Sequence, residues 1–402
     1  MRVARKLPPI WLLGLTNSTF GMFAGFAVVS LPQMLAARGI EGGRIAELVA
    51  WTLSPGFWVF LLAPALDVRF SRRTYALVFS VLGAVALGAA VALPMSVRAL
   101  GAVMFFGYIA VSMVQGAVGG WVGSLIPPEE DSRLGAWFTV ATLGAGGVMM
   151  LLAGEVMHWM APARAGWVLG TVLMLPSLLY VAIPAPGPDR RLASESFGQF
   201  FGEIAALVRR REVLIALLLF ALPSASFTLT NVLGGIGKDF SAGERMVSAM
   251  AGLGAAVAGI AGSLLLPVLA RRFPLRPLYL GIGVVGAMFT LLLLLLPRSP
   301  ATFAVAITGE NMFQALAFAA GNAITFEVMG PDNPLAATLF SLMIATVNLP
   351  ITYMGFADGW AYTGWGWRGS VVMDAGVSLG VCGALALMLL RLRRGTVREA
   401  RV

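Results

Sequence analysis

From residue 9 to residue 390 the chain consists of apolar runs about 20 to 30 residues long, and the breaks between them hold most of its charge. As a helix, a run of that length matches the hydrocarbon thickness of a bilayer, and every backbone N–H and C=O finds a partner within the segment. Cutting at charged or Pro/Gly-rich breaks gives twelve runs: 9–36, 44–66, 74–95, 99–125, 134–157, 166–185, 213–236, 246–269, 277–296, 300–328, 335–357 and 369–390. The expectation is an all-α membrane protein with twelve transmembrane helices.

Composition agrees with this class. Hydrophobic residues make up 58% of the chain and charged residues 12%. Ordinary soluble domains carry about 25% charged residues, so a water-facing surface cannot be assembled here. The first run follows the basic segment Met1–Lys6, and no small-residue cleavage site precedes the second, which predicts a retained first span rather than a signal peptide. Cys382 alone gives no disulfide and His158 alone gives no metal cluster, so neither a metal nor a cofactor is expected. The net charge of +9 does not point to nucleic acid, because 26 of the 28 basic residues are arginines scattered between the runs.

Those arginines set a topology instead. With twelve spans the loops alternate between two sides, and twenty basic residues share the side of both termini. They include Arg2, Arg5, Lys6, Arg190, Arg191, Arg209, Arg210, Arg211 and Arg401; eight, such as Arg38, Arg98 and Arg368, lie on the other side. The positive-inside rule places both termini in the cytoplasm.

The chain also repeats itself. Leu61–Arg73, LLAPALDVRFSRR, returns near residue 270 as LLPVLARRFPLRP; Pro64 aligns with Pro267, Phe70 with Phe273 and Arg73 with Arg276, an offset of 203 in 402 residues. Two pseudo-symmetric six-helix bundles are expected, residues 1–186 and 213–402. The connection 187–212 carries Phe197, Phe200, Phe201, Ile204 and Val208 at helical spacing, a capping-box pattern at Ser196 and Gln199, and Arg209–Arg211 at its end. It reads as a helix lying on the cytoplasmic membrane surface.

Polar residues inside the runs are uneven. Runs one, four, seven and ten hold Asn17, Ser18 and Thr19; Gln115; Ser224, Ser226, Thr228 and Asn231; and Glu310, Asn311, Gln314 and Asn322. Runs three, six and nine have no ionisable residue in their interiors. Polar side chains are costly in hydrocarbon, so the first helix of each triplet should face a shared aqueous cavity and the third the lipid. Small residues recur at Gly116, Gly119, Gly120 and Gly123 in run four, at Gly144, Gly146 and Gly147 in run five, and at Ala255, Gly259 and Ser263 in run eight. Such faces suit close helix packing or a sliding seam between runs five and eight.

Two six-helix halves joined by a cytoplasmic segment, with Asp67-x-x-x-x-Arg72-Arg73 between runs two and three, resemble the major facilitator superfamily over the whole chain. That superfamily's loop has glycines where this chain has Ala63 and Phe70. APALDVRFSRR, DSRLGAWF and GWGWRG look like its branch of muropeptide permeases and acetyl-coenzyme A transporters. Run five lacks the proline-containing glycine motif of the superfamily's drug/proton antiporters. The resemblance implies a secondary transporter of the bacterial inner membrane, working by alternating access on a small-molecule substrate, with protons as the expected coupling ion and a monomer as the expected state. Uniport and export stay open, as do a transporter-like receptor and a membrane enzyme acting on lipid-linked substrates. The enzyme has no nucleophile–base pair, metal cluster or phosphate-binding glycine loop to support it.

Within that frame Asp67 is expected to dock on the start of run eleven, where Asp332-Asn333-Pro334 reads as an N-cap followed by proline, and to close one side with Arg72 or Arg73. In the second copy Ala270 replaces Asp67. Glu129, Glu130 and Asp131 before run five are instead expected to pair with Arg271, Arg272 and Arg276. Glu310, mid-span beside Asn311 and Gln314, is the expected proton-coupling carboxyl. The substrate cavity is expected to use Asn17, Ser18, Thr19, Gln115, Ser224, Thr228, Asn231, Asn311 and Gln314, with aromatics at Phe20, Trp51, Trp58 and Tyr108. No lysine or arginine sits at mid-depth, which suits a neutral or amphipathic organic molecule. Glu47, Glu155, His158 and Asp374 read as rim residues, and Trp360, Trp365 and Trp367 as an outer aromatic belt.

Overall fold

The computed structural model describes residues 7–184, 197–233 and 235–399. Arg2, Arg5, Lys6, Arg190, Arg191, Ser196 and Arg401 lie outside the described residues. Among those described, nine helices are long and apolar enough to cross a membrane. They are α1 (Ser18–Ala37), α2 (Arg72–Ala92), α3 (Val97–Gly123), α4 (Pro128–Trp159), α5 (Pro162–Val181), α6 (Glu244–Ala270), α7 (Leu275–Leu295), α8 (Pro300–Met329) and α9 (Ala336–Arg391). A helix also covers Phe197–Val208 in the connection.

Four of the predicted runs take other forms. Run two breaks into Gly42–Leu53, Pro55–Trp58 and two short 3₁₀ turns, Val59–Leu61 and Ala63–Asp67. Pro55 follows Ser54 at the break, and proline cannot donate to the preceding turn. Run seven divides into Arg211–Ala221 and Leu229–Leu233, with Pro223 and the left-handed Phe227 between them. Runs eleven and twelve share α9, in which Gly366 alone leaves helical geometry, at φ 63° and ψ −157°. The chain folds back there: Ser370 Oγ donates to the carbonyl of Asp358 at 2.8 Å, whereas twelve residues of straight helix would span about 18 Å.

Two compact units divide the chain. Unit 1 comprises residues 1–210 together with 325–345, and unit 2 comprises residues 211–324 and 346–402. The segment 325–345 of the second sequence half therefore packs with the first. The unit 1 core gathers Phe23, Phe26, Leu31, Met104 and Tyr108; that of unit 2 gathers Leu229, Phe240, Phe303, Ile307 and Trp367.

Helix starts follow local chemistry. Ser71 Oγ accepts from the N–H of Thr74 ahead of α2, and Ser96 Oγ from that of Ala99 ahead of α3. Glycine permits close crossings inside unit 1. A Cβ on Gly25 would sit 2.7 Å from Gly146 Cα, so Gly146 of run five packs against α1. In unit 2, a Cβ on Gly262 would lie 3.0 Å from the carbonyl carbon of Met312. The greasy helices expose apolar stripes: Val78, Val81, Leu82 and Val85 on α2, and Val285, Met288, Leu292 and Leu295 on α7. On a chain of this composition such stripes are lipid-facing surface.

Candidate functional site

In unit 1, Asp67 ends a 3₁₀ turn and is 6% exposed. Its Oδ1 accepts from Arg72 Nε at 2.8 Å and from the Ala337 N–H at 3.1 Å. Its Oδ2 accepts from the Thr338 N–H at 2.8 Å and the Thr338 hydroxyl at 2.7 Å. The carboxylate thus caps two of the four free N–H groups at the start of α9, where the helix dipole favours negative charge. Arg72 completes a clasp: its Nη2 donates to the carbonyls of Asn333 and Pro334, at 3.0 and 2.8 Å.

Arg69, at φ 69°, reverses the chain between Asp67 and α2, and the Tyr75 hydroxyl donates to the Val68 carbonyl at 2.7 Å across that turn. On the other side, Gly330 and Asp332 both adopt left-handed backbone. Asn333, rather than Asp332, organises the turn: its Oδ1 accepts from the Leu335 N–H at 3.0 Å and its Nδ2 donates to the Met329 carbonyl at 2.9 Å. The helix accordingly begins at Ala336, beyond the expected Pro334. Behind the clasp, a Cβ on Gly120 would fall 2.6 Å from Ala337 Cα. Phe138, Phe326 and Phe340 pack with ring centroids 5.5 to 5.7 Å apart.

Other residues expected to gate lie differently. Arg73 is half-buried and makes no ion pair among the described residues. Glu130 pairs with Arg133 of its own helix at 2.9 Å. Asp131 is buried in unit 1, whereas Arg271 and Arg272 are exposed in unit 2. The polar start of α1 is occupied by packing: Asn17 Nδ2 donates to Thr142 Oγ1 at 2.8 Å, and Thr19 Oγ1 to the Leu173 carbonyl at 3.5 Å. Ser18 is buried and Gln115 half-buried. Trp51 stacks on Phe105 at 4.7 Å, and Phe20 meets Tyr108 edge-on at 5.9 Å.

Unit 2 holds the second polar assembly, around the break in run seven. Gln314 Nε2 donates to Thr230 Oγ1 at 2.8 Å and to the Phe227 carbonyl at 3.1 Å, tying α8 to the break. Ser378 and Cys382 donate to the carbonyls of Pro223 and Ser224. Asn311 Nδ2 donates within its own helix, to the Ile307 carbonyl. Ser224 and Thr228 are buried, whereas Asn231 is exposed. Of the residues expected to line a cavity, Gln115, Asn231, Asn311 and Gln314 therefore retain surface, and Asn17, Ser18, Thr19, Ser224 and Thr228 are closed off.

Glu310 is 0% exposed on α8. The Thr290 hydroxyl of α7 donates to its Oε1 at 2.5 Å, while its Oε2 has no partner among the described residues. Asp374, expected at the rim, is instead 3% exposed and receives the backbone N–H groups of Thr228 and Leu229. Asp358 was not foreseen. It is 0% exposed, interacts electrostatically with Asp374 and Glu310, and has no partner on either carboxyl oxygen among the described residues. Its sequence setting, FADGWAYTGWGW, reads as an aromatic loop; the helix through Asp358 is visible only in three dimensions. Trp367 also departs from the expected belt, being 3% exposed against Phe240, whereas Trp360 and Trp365 are exposed.

Long apolar helices and polar residues withdrawn into two packed units define a multi-pass membrane protein. Its fold is similar to that of several solved transporters. It resembles a bacterial homologue of the iron transporter ferroportin, in the outward-facing state, at 18% identity over 94% of this chain and 98% of that one, with a TM-score of 0.67. It equally resembles the human organic anion transporter MFSD10, at 16% identity over 94% and 98%, TM-score 0.68. The major facilitator superfamily proton:xylose symporter XylE matches at 12% identity over 93% and 94%, TM-score 0.64. At these identities the likeness is one of fold. No family model and no curated protein matches the sequence.

Proposed function

We propose that the chain is a secondary transporter of the major facilitator type, moving a small organic solute by alternating access in symport with protons. The observation that carries this reading is Glu310, a wholly buried carboxyl with one bonded oxygen and one without a partner among the described residues, in a helix of membrane-spanning length. Such a group is stable when protonated and costly when charged, so its proton state follows its access to water. A fold that also serves a proton:xylose symporter is compatible with this coupling.

The Asp67–Arg72 clasp is the gate on one side. It holds the start of α9 through a charge-assisted network that a moving helix must break. Gln115, Asn231, Asn311 and Gln314, which retain surface, are the residues proposed to meet substrate. Neutral amides beside aromatics suit a neutral or amphipathic molecule, and the arginine-poor spans disfavour the phosphorylated or coenzyme A substrates of the resembling branch. Twelve crossings follow when the nine long helices are taken with the fold-back in α9 and the broken runs two and seven. Both termini are then cytoplasmic, in a monomer of a bacterial inner membrane. The acidic residues 129–131 and Arg271, Arg272 and Arg276 are proposed to form the weaker counterpart of the clasp.

Reconstituted protein tests the coupling. Glu310→Gln is expected to abolish pH-gradient-driven uptake while sparing substrate exchange; gradient-driven uptake that survives the substitution contradicts the role of Glu310. The bond from Thr290 favours one second reading, in which Glu310 is structural and the protein is a uniporter or exporter. Counterflow that is the same with and without a pH gradient would establish it.

A further inference from the structure

Beyond Glu310, unit 2 buries two more carboxyls, and none of the three has an ion pair among the described residues. Among those residues Asp358, 0% exposed, has no partner on either oxygen, and Asp374 and Glu310 each have one oxygen without a partner. Asp358 and Asp374 lie on opposite arms of the α9 fold-back at Gly366, and Glu310 comes from α8. Ile307 and Val371, one turn before Glu310 and Asp374, pack in one core with Leu229, and Ser370, one turn before Asp374, donates to the Asp358 carbonyl; the three carboxyls therefore share one region of unit 2, where the charged groups acting on Asp358 are Asp374 and Glu310. From α7 the neighbour of this cluster is the Thr290 hydroxyl, and from the broken run seven it is the backbone of Thr228 and Leu229. Basic residues on these elements do not reach it: Arg298 and Arg368 are exposed. Arg276 is fourteen positions before Thr290, about 21 Å along α7.

An independent sign comes from run seven. Thr228, whose N–H turns to Asp374, is itself 0% exposed and leaves its hydroxyl without a partner among the described residues. Bare buried acceptors on three carboxyls and a bare hydroxyl beside them call for donors. Three anions gathered in that region would repel in a medium of low dielectric. A proton on a carboxyl supplies a donor and removes its charge at once.

We infer that Glu310, Asp358 and Asp374 form one proton-sharing site, in which the protons belong to the trio rather than to any single carboxyl. The inference rests on the coupling reading and deepens it: Asp358 becomes a coupling residue of equal standing, and Thr228 a positioning residue that links the trio to the broken helix. Each transfer breaks one carboxyl O–H bond and forms another on a neighbouring carboxyl or on water, with no further reactant.

Infrared spectroscopy of purified protein, following the protonated-carboxyl band across pH without substrate or gradient, tests this. Groups that interact strongly titrate in steps belonging to the set. Glu310→Gln, Asp358→Asn and Asp374→Asn are each expected to displace the titration of the carboxyls that remain. If each variant deletes only its own step and leaves the others in place, the three are independent and the inference falls. Three variants guard against one that fails to fold. Because the readout needs no transport, joint titration in a protein whose uptake ignores pH gradients would keep the trio while removing the symport reading.

Discussion

A carboxylate withdrawn from water needs donors on its lone pairs. Asp67 has four, from Arg72, Ala337 and Thr338, whereas Asp358 has none among the described residues. The first arrangement stabilises a charged group in place, and the second stabilises a neutral one. Removing one partner of a buried pair costs about 3–5 kcal/mol, so Asp67→Asn should favour release of the start of α9. A cysteine placed at Ser124, which is buried and whose carbonyl accepts from the Asp332 N–H at 3.4 Å, reports this. In a Cys382→Ser background its alkylation rate is expected to rise on the order of a hundredfold, since 1.4 kcal/mol is about tenfold. Arg72→Lys should give a similar rise, because lysine lacks the fork that reaches Asp67 and two carbonyls together. Arg73→Ala should change little; equal effects at both arginines would contradict the clasp. Sequence alone pointed to Asp67 and the following turn because charge and helix-start chemistry are local. It could not separate Arg72 from Arg73, whose difference lies in where each side chain points.

At the scale of elements, the small residues of α3 read as a close-packing face, and the structure gives that face its occupant, the turn and first residues of α9. Gly120→Val would place side-chain atoms against Ala337 backbone, which cannot yield as a flexible side chain can. The same cysteine reporter should then become reactive without any change of charge; an unaltered rate would mean the glycine face is not part of the closure. The glycines of run five were harder to read, because GxxxG-type spacing does not name its partner, and Gly146 packs on α1. Run seven looked continuous because hydropathy averages over the polar stretch from Ser224 to Thr228. Pro223 was the local signal of a break, while the donors that make the break tolerable, Gln314, Ser378 and Cys382, come from distant segments. Asp358 and Asp374 were obscured for a related reason: a fold-back at one glycine brings together residues that hydropathy assigns to a loop and a rim.

For the whole molecule, the apolar runs and the arginine asymmetry argue for twelve crossings with both ends inside the cell. Reporter fusions after Arg391 and in the loop at Arg98 are expected to give cytoplasmic and external signals respectively; the same signal from both would overturn the topology. In the proposed cycle substrate and protons move together through this chain. The most direct measurement is the lumenal pH of proteoliposomes holding a trapped pH-sensitive dye, with neutral sugars, peptides and cell-wall fragments added outside in turn. The account predicts that a transported compound acidifies the lumen, and that Glu310→Gln removes the acidification while exchange of the compound persists. A compound that enters on the wild-type protein with no change of lumenal pH would contradict it.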